Sequence, residues 1–392
     1  MPVDGSVGER IRLRRERQGW SVRLLASRAG MSHGALSMIE RGRRSADNRY
    51  VIAKIAAALG CSVAELTGAP YVPGDRDLED VSVNVAALRR AMIDDSLALP
   101  ARREPRPLSA LVAEIDLIRD RHRRCDYGAV VRLLPEALTD LRAARPADPE
   151  HLRLALHGYR VAMSTLRHLG YLADAWWAAH QCRQVAEALD DPTALAVADY
   201  VRSRAAAYCG SYEASALVAA RAAEDIDRHT EVRGALELLG SLYITCAMSA
   251  AADRPDDAAA RLREAARIAD RTGETDLHDL WFGPTLVGLG RLIVEVDAGD
   301  PGRALEVAQE INPTVIPAAT RQVHYHIDRA RALIRVKRPQ DAARSLLTAE
   351  RLAPQHVHTS AVARETVRYL QRSVRNRAQL FGLPERMGIV DS

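Results

Sequence analysis

Lysine is nearly missing from this chain. It occurs only at Lys54 and Lys337, so almost all of the 55 basic residues among 392 are arginine. Aromatic residues make up only 4%. No run of eighteen apolar residues occurs, so no membrane-spanning helix is expected, and residues 1–20 are too charged for a signal peptide. Cys61, Cys125, Cys182, Cys209 and Cys246 are odd in number, widely spaced and never paired as C-x-x-C. That pattern argues against a disulfide framework or a zinc module, and for a reduced, cytoplasmic setting. P-loop, G-x-G-x-x-G, H-E-x-x-H and G-x-S-x-G motifs are also absent, so neither an enzyme nor a bound cofactor is expected.

What is present is 47% hydrophobic and 27% charged residues, enough to bury a core and long enough for two or more domains. The formal charge of +4 hides an asymmetry. Residues 1–72 carry 12 Arg and Lys against 6 Asp and Glu, whereas the remainder carries 43 against 45. A compact basic head on a near-neutral body suggests a polyanion-binding module joined to something else.

The head is read as five short helices. Periodicity begins at Val7 and stops near Gly19, and Ser21 caps Val22–Ala29. Gly30 supplies a left-handed turn, Ser32 caps His33–Arg41, and Gly42 ends that helix. Asn48 caps a fourth helix that stops at Gly60, and Ser62 opens a short fifth. Two short helices joined by a glycine turn describe a helix-turn-helix. The stretches SVRLLASRAGMSHGALSMIERGRR and NRYVIAKIAAALGCSVAELTG resemble the Cro/phage-repressor-type (XRE) DNA-binding domain over residues 7–68. The resemblance implies a lambda-repressor-like fold with the helix from Ser32 to Arg41 in the major groove.

Ala35, Leu36 and Ile39 should then pack inward, leaving Ser32, His33, Gly34, Ser37 and Met38 toward the bases. Gly34 has no side chain and Met38 offers only apolar contact, so direct readout leans on Ser32 and His33. The bland alternative for His33 is a solvent-facing helix residue. Arg23, Arg41, Arg43, Arg44 and Arg49 are the expected phosphate contacts, because a planar guanidinium donates two hydrogen bonds at once. Family members usually carry Gln where this chain has Val22, so that phosphate contact is lost or passes to Arg23. Arg15 and Glu40 match a structural ion pair of relatives.

Residues 70–108, with Pro70, Pro73, Pro100 and Pro107 around VNVAALRRAM, are expected to be a joint, either a plain linker or a hinge, containing a short helix. From residue 109 to 392 the apolar spacing is helical throughout, with breaks about every twenty residues. Six segments open after a turn with an early alanine: Ala129, Ala175, Ala214, Ala258, Ala304 and Ala342. This resembles tetratricopeptide (TPR) repeats with a longer period, and implies a right-handed α-solenoid of six hairpins and a final helix over Thr359–Leu380. The expected fold class is thus all-α, with residues 1–69 as the head and 109–392 as the repeat body.

In TPR-like arrays the first helix of each pair lines the concave face. Candidate lining residues are Tyr159, Arg160, Arg167, Tyr200, Arg204, Tyr243, His278, Trp281, Tyr325, His326 and Arg329, of which about half would be packing residues. Recurring Tyr and Arg would suit a peptide or other elongated ligand of anionic or amide character, and the expected effector is a peptide or a small molecule. His324-x-His326 and His356-x-His358 are not expected to bind metal, since i,i+2 histidines diverge on a helix. Trp176-Trp177 should wedge between repeats.

The arrangement resembles a class of actinobacterial regulators and, in architecture, the Rgg/PlcR-type peptide-sensing group; the excess of arginine fits a GC-rich genome and favours the former. It implies a cytoplasmic, nucleoid-associated homodimer on a palindromic double-stranded operator, with a solenoid effector and no membrane contact. An interaction scaffold without a small ligand, and an antitoxin-like autorepressor, remain alternatives.

Overall fold

The computed structural model describes residues 5–68, 76–99, 104–144, 148–373 and 380–389, and every regular element among them is helical. The head contains α1 (Val7–Arg17), α2 (Val22–Arg28), α3 (His33–Glu40), α4 (Arg49–Leu59) and α5 (Val63–Thr67). Each begins where a short polar side chain accepts a bond from an otherwise orphaned N–H. Ser6 accepts from Glu9, Ser21 from Leu24, Ser32 from Ala35, Asn48 from Val51 and Ser62 from Glu65. Losing one such cap costs about 1 kcal/mol. The turn between α2 and α3 needs Gly30, whose φ of 62° is strained for any residue with a Cβ. Ile11, Leu25, Leu36, Ile55 and Leu66 close a separate small core with no exposure.

The body opens with α6 (Arg76–Ser96). The stretch expected to be a joint therefore carries a 21-residue helix whose Val85, Leu88 and Met92 are buried in the body's core. Their i, i+3, i+7 spacing gives that helix an apolar face, and burying it makes α6 part of the body by packing. The breaks expected at Pro70, Pro73 and Pro100 lie outside the described residues.

Six antiparallel hairpins follow: α7 (Leu108–Arg123) with α8 (Tyr127–Ala144), α9 (Pro149–His168) with α10 (Leu172–Leu189), α11 (Pro192–Tyr208) with α12 (Tyr212–Asp227), α13 (Ala235–Ala250) with α14 (Pro255–Thr272), α15 (Pro284–Ala298) with α16 (Pro301–Glu310), and α17 (Ala319–Arg335) with α18 (Pro339–Leu352). Short α19 (Pro354–Thr359), α20 (Ala361–Ser373) and α21 (Leu383–Arg386) finish the chain. The expected final helix is split at Ser360, and its residues 374–379 lie outside the described residues. Five of the early alanines are buried and let the paired helices approach closely; Ala214 is exposed, and Ser215 and Ala216 take the contact instead. Trp177 packs on the core, whereas Trp176 is 42% exposed and wedges nothing.

The solenoid curls until its ends meet. Backbone N–H groups of Tyr127 and Gly128 donate to Gln355 Oε1, and the Tyr127 hydroxyl lies 2.6 Å from His356 Nδ1. Across the same interior, Arg119 and Arg123 of the first hairpin reach Asp279 in the loop before α15. The first helices of the hairpins face an enclosed axis, and the head sits over one end of it. Tyr50 donates to the Met248 carbonyl, Asn48 Nδ2 to the Asp297 carbonyl at 2.6 Å, and Val7 N–H to Glu365 Oε1.

Candidate DNA-binding face and interior cavity

The α3 helix turns Leu36 and Ile39 into the head's core and leaves Ser32, His33, Gly34, Met38 and Arg41 exposed. Arg23, Arg43 and Arg44 are exposed around it. Ser37 is nearly buried and accepts a 2.6 Å bond from Arg41 Nη2, so its hydroxyl is engaged along the helix rather than outward. Behind α3, Arg15 Nε and Nη2 bind the Glu40 carboxylate at 2.7 and 2.9 Å, and both side chains are buried. That bidentate hydrogen bond raises the Arg15 pKa further and braces α1 against α3.

Residues 6–67 match the family model of a helix-turn-helix domain. The head is therefore a helix-turn-helix domain, the fold of a DNA-binding regulator. No curated protein and no solved structure matches the chain.

Arg49 requires a correction. Expected among the phosphate contacts, its guanidinium turns instead toward the body, 3.3 Å from Asp297 and 3.2 Å from Asp328. Both acids also hold Arg331, which has no exposure at all. Arg331 reaches across to the head as well: Nη2 donates to the Asp47 carbonyl at 2.9 Å, and Nε lies 3.3 Å from its carboxylate without hydrogen-bond alignment. Arg335 stands 3.6 Å from Asp47. Head residues Asp47 and Arg49 thus interlock with body residues Asp297, Asp328 and Arg331. Burial alone would raise the Asp297 pKa, but Arg331 and Arg49 outweigh it and hold the carboxyl below its usual range. Lys54 adds a more exposed pair with Asp253 at 3.0 Å.

Beneath this seam lies a cavity of two lobes that meet at Arg167, His168, Arg204 and His324. The larger, about 180 Å³, is bounded on the head side by Asp47, Arg49 and Tyr50, and on the body side by Tyr208, Met248 and Asp297 among others. The smaller, about 90 Å³, runs outward past Arg160, Tyr200, Arg321 and Trp281.

Of the expected lining residues, Arg160, Arg167, Tyr200, Arg204 and Trp281 border the cavity. The others do not. Tyr159 is wholly buried, with its hydroxyl donating to Asp95. Tyr243 lies under Arg261, with the guanidinium 5.2 Å from the ring centroid. His278 offers its carbonyl to Arg160 at 2.8 Å. Tyr325 donates to the Ala308 carbonyl at 2.9 Å, and His326 offers its carbonyl to Ser345. Arg329 is half-buried on the same off-cavity side. Along α17 it is Arg321, His324 and Asp328 that face the cavity, so the expected face is out of phase by one residue, about 100° of helix.

Three histidines that no spacing in the sequence connects also converge on the cavity. His168, His324 and His356 bring one ring nitrogen each within 4.8 Å of the others. Burial first, and then Arg167 and neighbouring histidines, push His356 down to about 3 and hold His168 and His324 well below the usual imidazole range. Neutral imidazoles in this array have the donor chemistry of a zinc site. Two features work against that use: Arg167 Nη2 contacts His168 Nε2 at 2.5 Å, and further arginines stand beside the cluster. His326 and His358, the partners suggested by sequence spacing, turn instead to Ser345 and Glu350.

Proposed function

We propose that the chain is a sequence-specific transcriptional regulator. It acts in the cytoplasm by binding, not catalysis. Two copies pair on a palindromic operator, since one head buries too little surface for tight, specific binding. His33 and Ser32 read base edges, Met38 touches thymine methyls, and Arg23, Arg41, Arg43 and Arg44 hold phosphates. The repeat body, of the TPR kind, takes an effector in its interior.

One observation carries this reading. Among the described residues, Ser32, His33, Gly34 and Met38 of α3 stay exposed, while the other side of the head, from Asp47 to Tyr50, forms a wall of the cavity. An effector in the cavity therefore meets the head directly and alters how firmly it is seated. The size of the larger lobe favours a small effector over a folded protein partner.

Footprinting of the full chain on genomic DNA tests the proposal. Protection should fall on inverted half-sites whose centres are about 10 base pairs, or a multiple, apart. Binding to any duplex with equal affinity, or protection of single unpaired sites, would contradict it.

A further inference from the structure

Three half-buried arginines lining the cavity lack the acidic partner that Arg49, Arg119, Arg123, Arg160 and Arg331 have. Arg167, Arg204 and Arg321 arrive from α9, α11 and α17, and among the described residues no carboxylate lies within ion-pair distance of any of them. By contrast, Arg119, Arg123 and Arg160 converge on Asp279, and Arg49 and Arg331 share Asp297 and Asp328. The unpaired three touch only neutral groups. Arg204 stands 3.5 Å from Met248 Sδ and 3.3 Å from the Tyr208 hydroxyl, and Arg321 3.4 Å from the Tyr200 hydroxyl. Arg167 lies over the Tyr208 ring at 4.2 Å, with Nε and Nη1 buried and bonded to nothing.

An unpaired buried charge is costly, and most side chains escape the cost by neutralising. Arginine cannot, because it stays protonated at any physiological pH. The counter-charge must come from outside the chain. We infer that this cavity is the receptor for a small multivalent oxyanion, phosphorylated or polycarboxylate, gripped by Arg167, Arg204 and Arg321 and hydrogen-bonded by Tyr200 and Tyr208.

The planar fork of each guanidinium matches the paired oxygens of phosphate and carboxylate. The phenols register the same field. Burial works to raise them, yet Arg167 and Arg204 bring Tyr208 down to about 8, and Arg321 and Arg204 lower Tyr200. That field also argues against a divalent cation at the neighbouring histidines, since the dication would face three unneutralised positive charges. The inference rests on the reading that the cavity takes an effector, and narrows it to one chemical class. Arg49 of the head borders the same cavity, so an entering anion acts on the seam that seats the head.

The test uses the full chain at low ionic strength, with pyrophosphate and citrate as probes, putrescine and glucose as controls, and sodium chloride matching the ionic strength. Pyrophosphate, citrate or both should bind saturably and raise the melting temperature, and whichever binds tighter names the source of the oxyanion. Arg204→Gln and Arg321→Gln should each weaken that binding about tenfold or more, while the unliganded variants melt no lower than the parent. Arg43→Ala, on the outer face of the head, should leave it unchanged. In the parent protein, absorbance should reveal a tyrosine ionising near pH 8 that moves up when the anion saturates. Absence of saturable binding, or binding lost in Arg43→Ala but kept in Arg204→Gln, would overturn the inference. A neutral or cationic molecule that fills the cavity and shifts operator affinity would overturn it while leaving the effector reading standing. Anion binding in the cavity with no change in operator affinity would instead uphold it and sink the effector reading.

Discussion

Two groups of arginine, half-buried or buried, lie along the same axis and differ in what faces them. At the seam, Arg331 and Arg49 meet Asp297, Asp328 and the head's Asp47. Deeper in, Arg167, Arg204 and Arg321 meet phenols, imidazoles and a thioether. The first arrangement is complete within the chain and works as a fastener. The second is incomplete, and an incomplete buried charge is a receptor waiting for its counter-ion. Burial of an arginine says little about its role until the acids around it are counted.

The largest expected effect comes from acid, because both regions respond to it and do so in separate windows. His122, His157 and His356 are pushed to about 3 by burial and nearby arginines, and His168 and His324 also lie well below normal. A group depressed on folding lends stability that is full above its unfolded pKa, here about 6.5, and lost as pH falls toward the folded value. Each such histidine contributes up to about 1.4 kcal/mol per pH unit, so stability should fall steeply from pH 6.5 to 4. Asp297, depressed from the carboxylate range, should add its loss only below about pH 4. Chemical denaturation across pH 3 to 8 measures both windows. A flat profile between 6.5 and 4 would mean that the histidines are not buried neutral.

Breaking the fastener is next. Arg331→Met leaves Asp297 and Asp328 buried with one cation fewer and should cost about 3–5 kcal/mol, read by urea unfolding. Arg204→Gln is the contrasting variant: it removes an uncompensated charge and should leave the melting temperature equal or higher. If both variants destabilised equally, the two regions would not differ as argued. The smallest effect is Tyr50→Phe, which removes the hydroxyl's bond to the Met248 carbonyl and should cost about 1 kcal/mol.

Legibility followed the range of the interactions. The five head helices begin and end where Ser, Asn and Gly signal, because caps and left-handed turns are local chemistry. The hairpins were equally legible from breaks and apolar spacing. Residues 83–92 looked like an island between prolines because the faces that bury Val85 and Leu88 belong to helices further along the chain. Arg49 looked like a surface phosphate contact because Asp297 and Asp328 are more than two hundred residues away. His168, His324 and His356 come from three separate helices, and no spacing within one helix announces their meeting. On α17 the residue types were right and the phase was not: Tyr325 and Arg329 resemble binding residues, but the axis is reached by Arg321 and His324.

The function proposed for the intact chain depends most heavily on α3 as the element that reads the duplex. Full-length protein and its His33→Ala and Arg43→Ala variants should each be taken through selection from a randomised duplex pool, followed by affinity measurement across salt concentrations. Arg43→Ala should weaken binding to every sequence alike and lower the salt slope by about one. His33→Ala should change which sequence is recovered. Parent-like sequence preference and salt slope in both variants would contradict that role for α3.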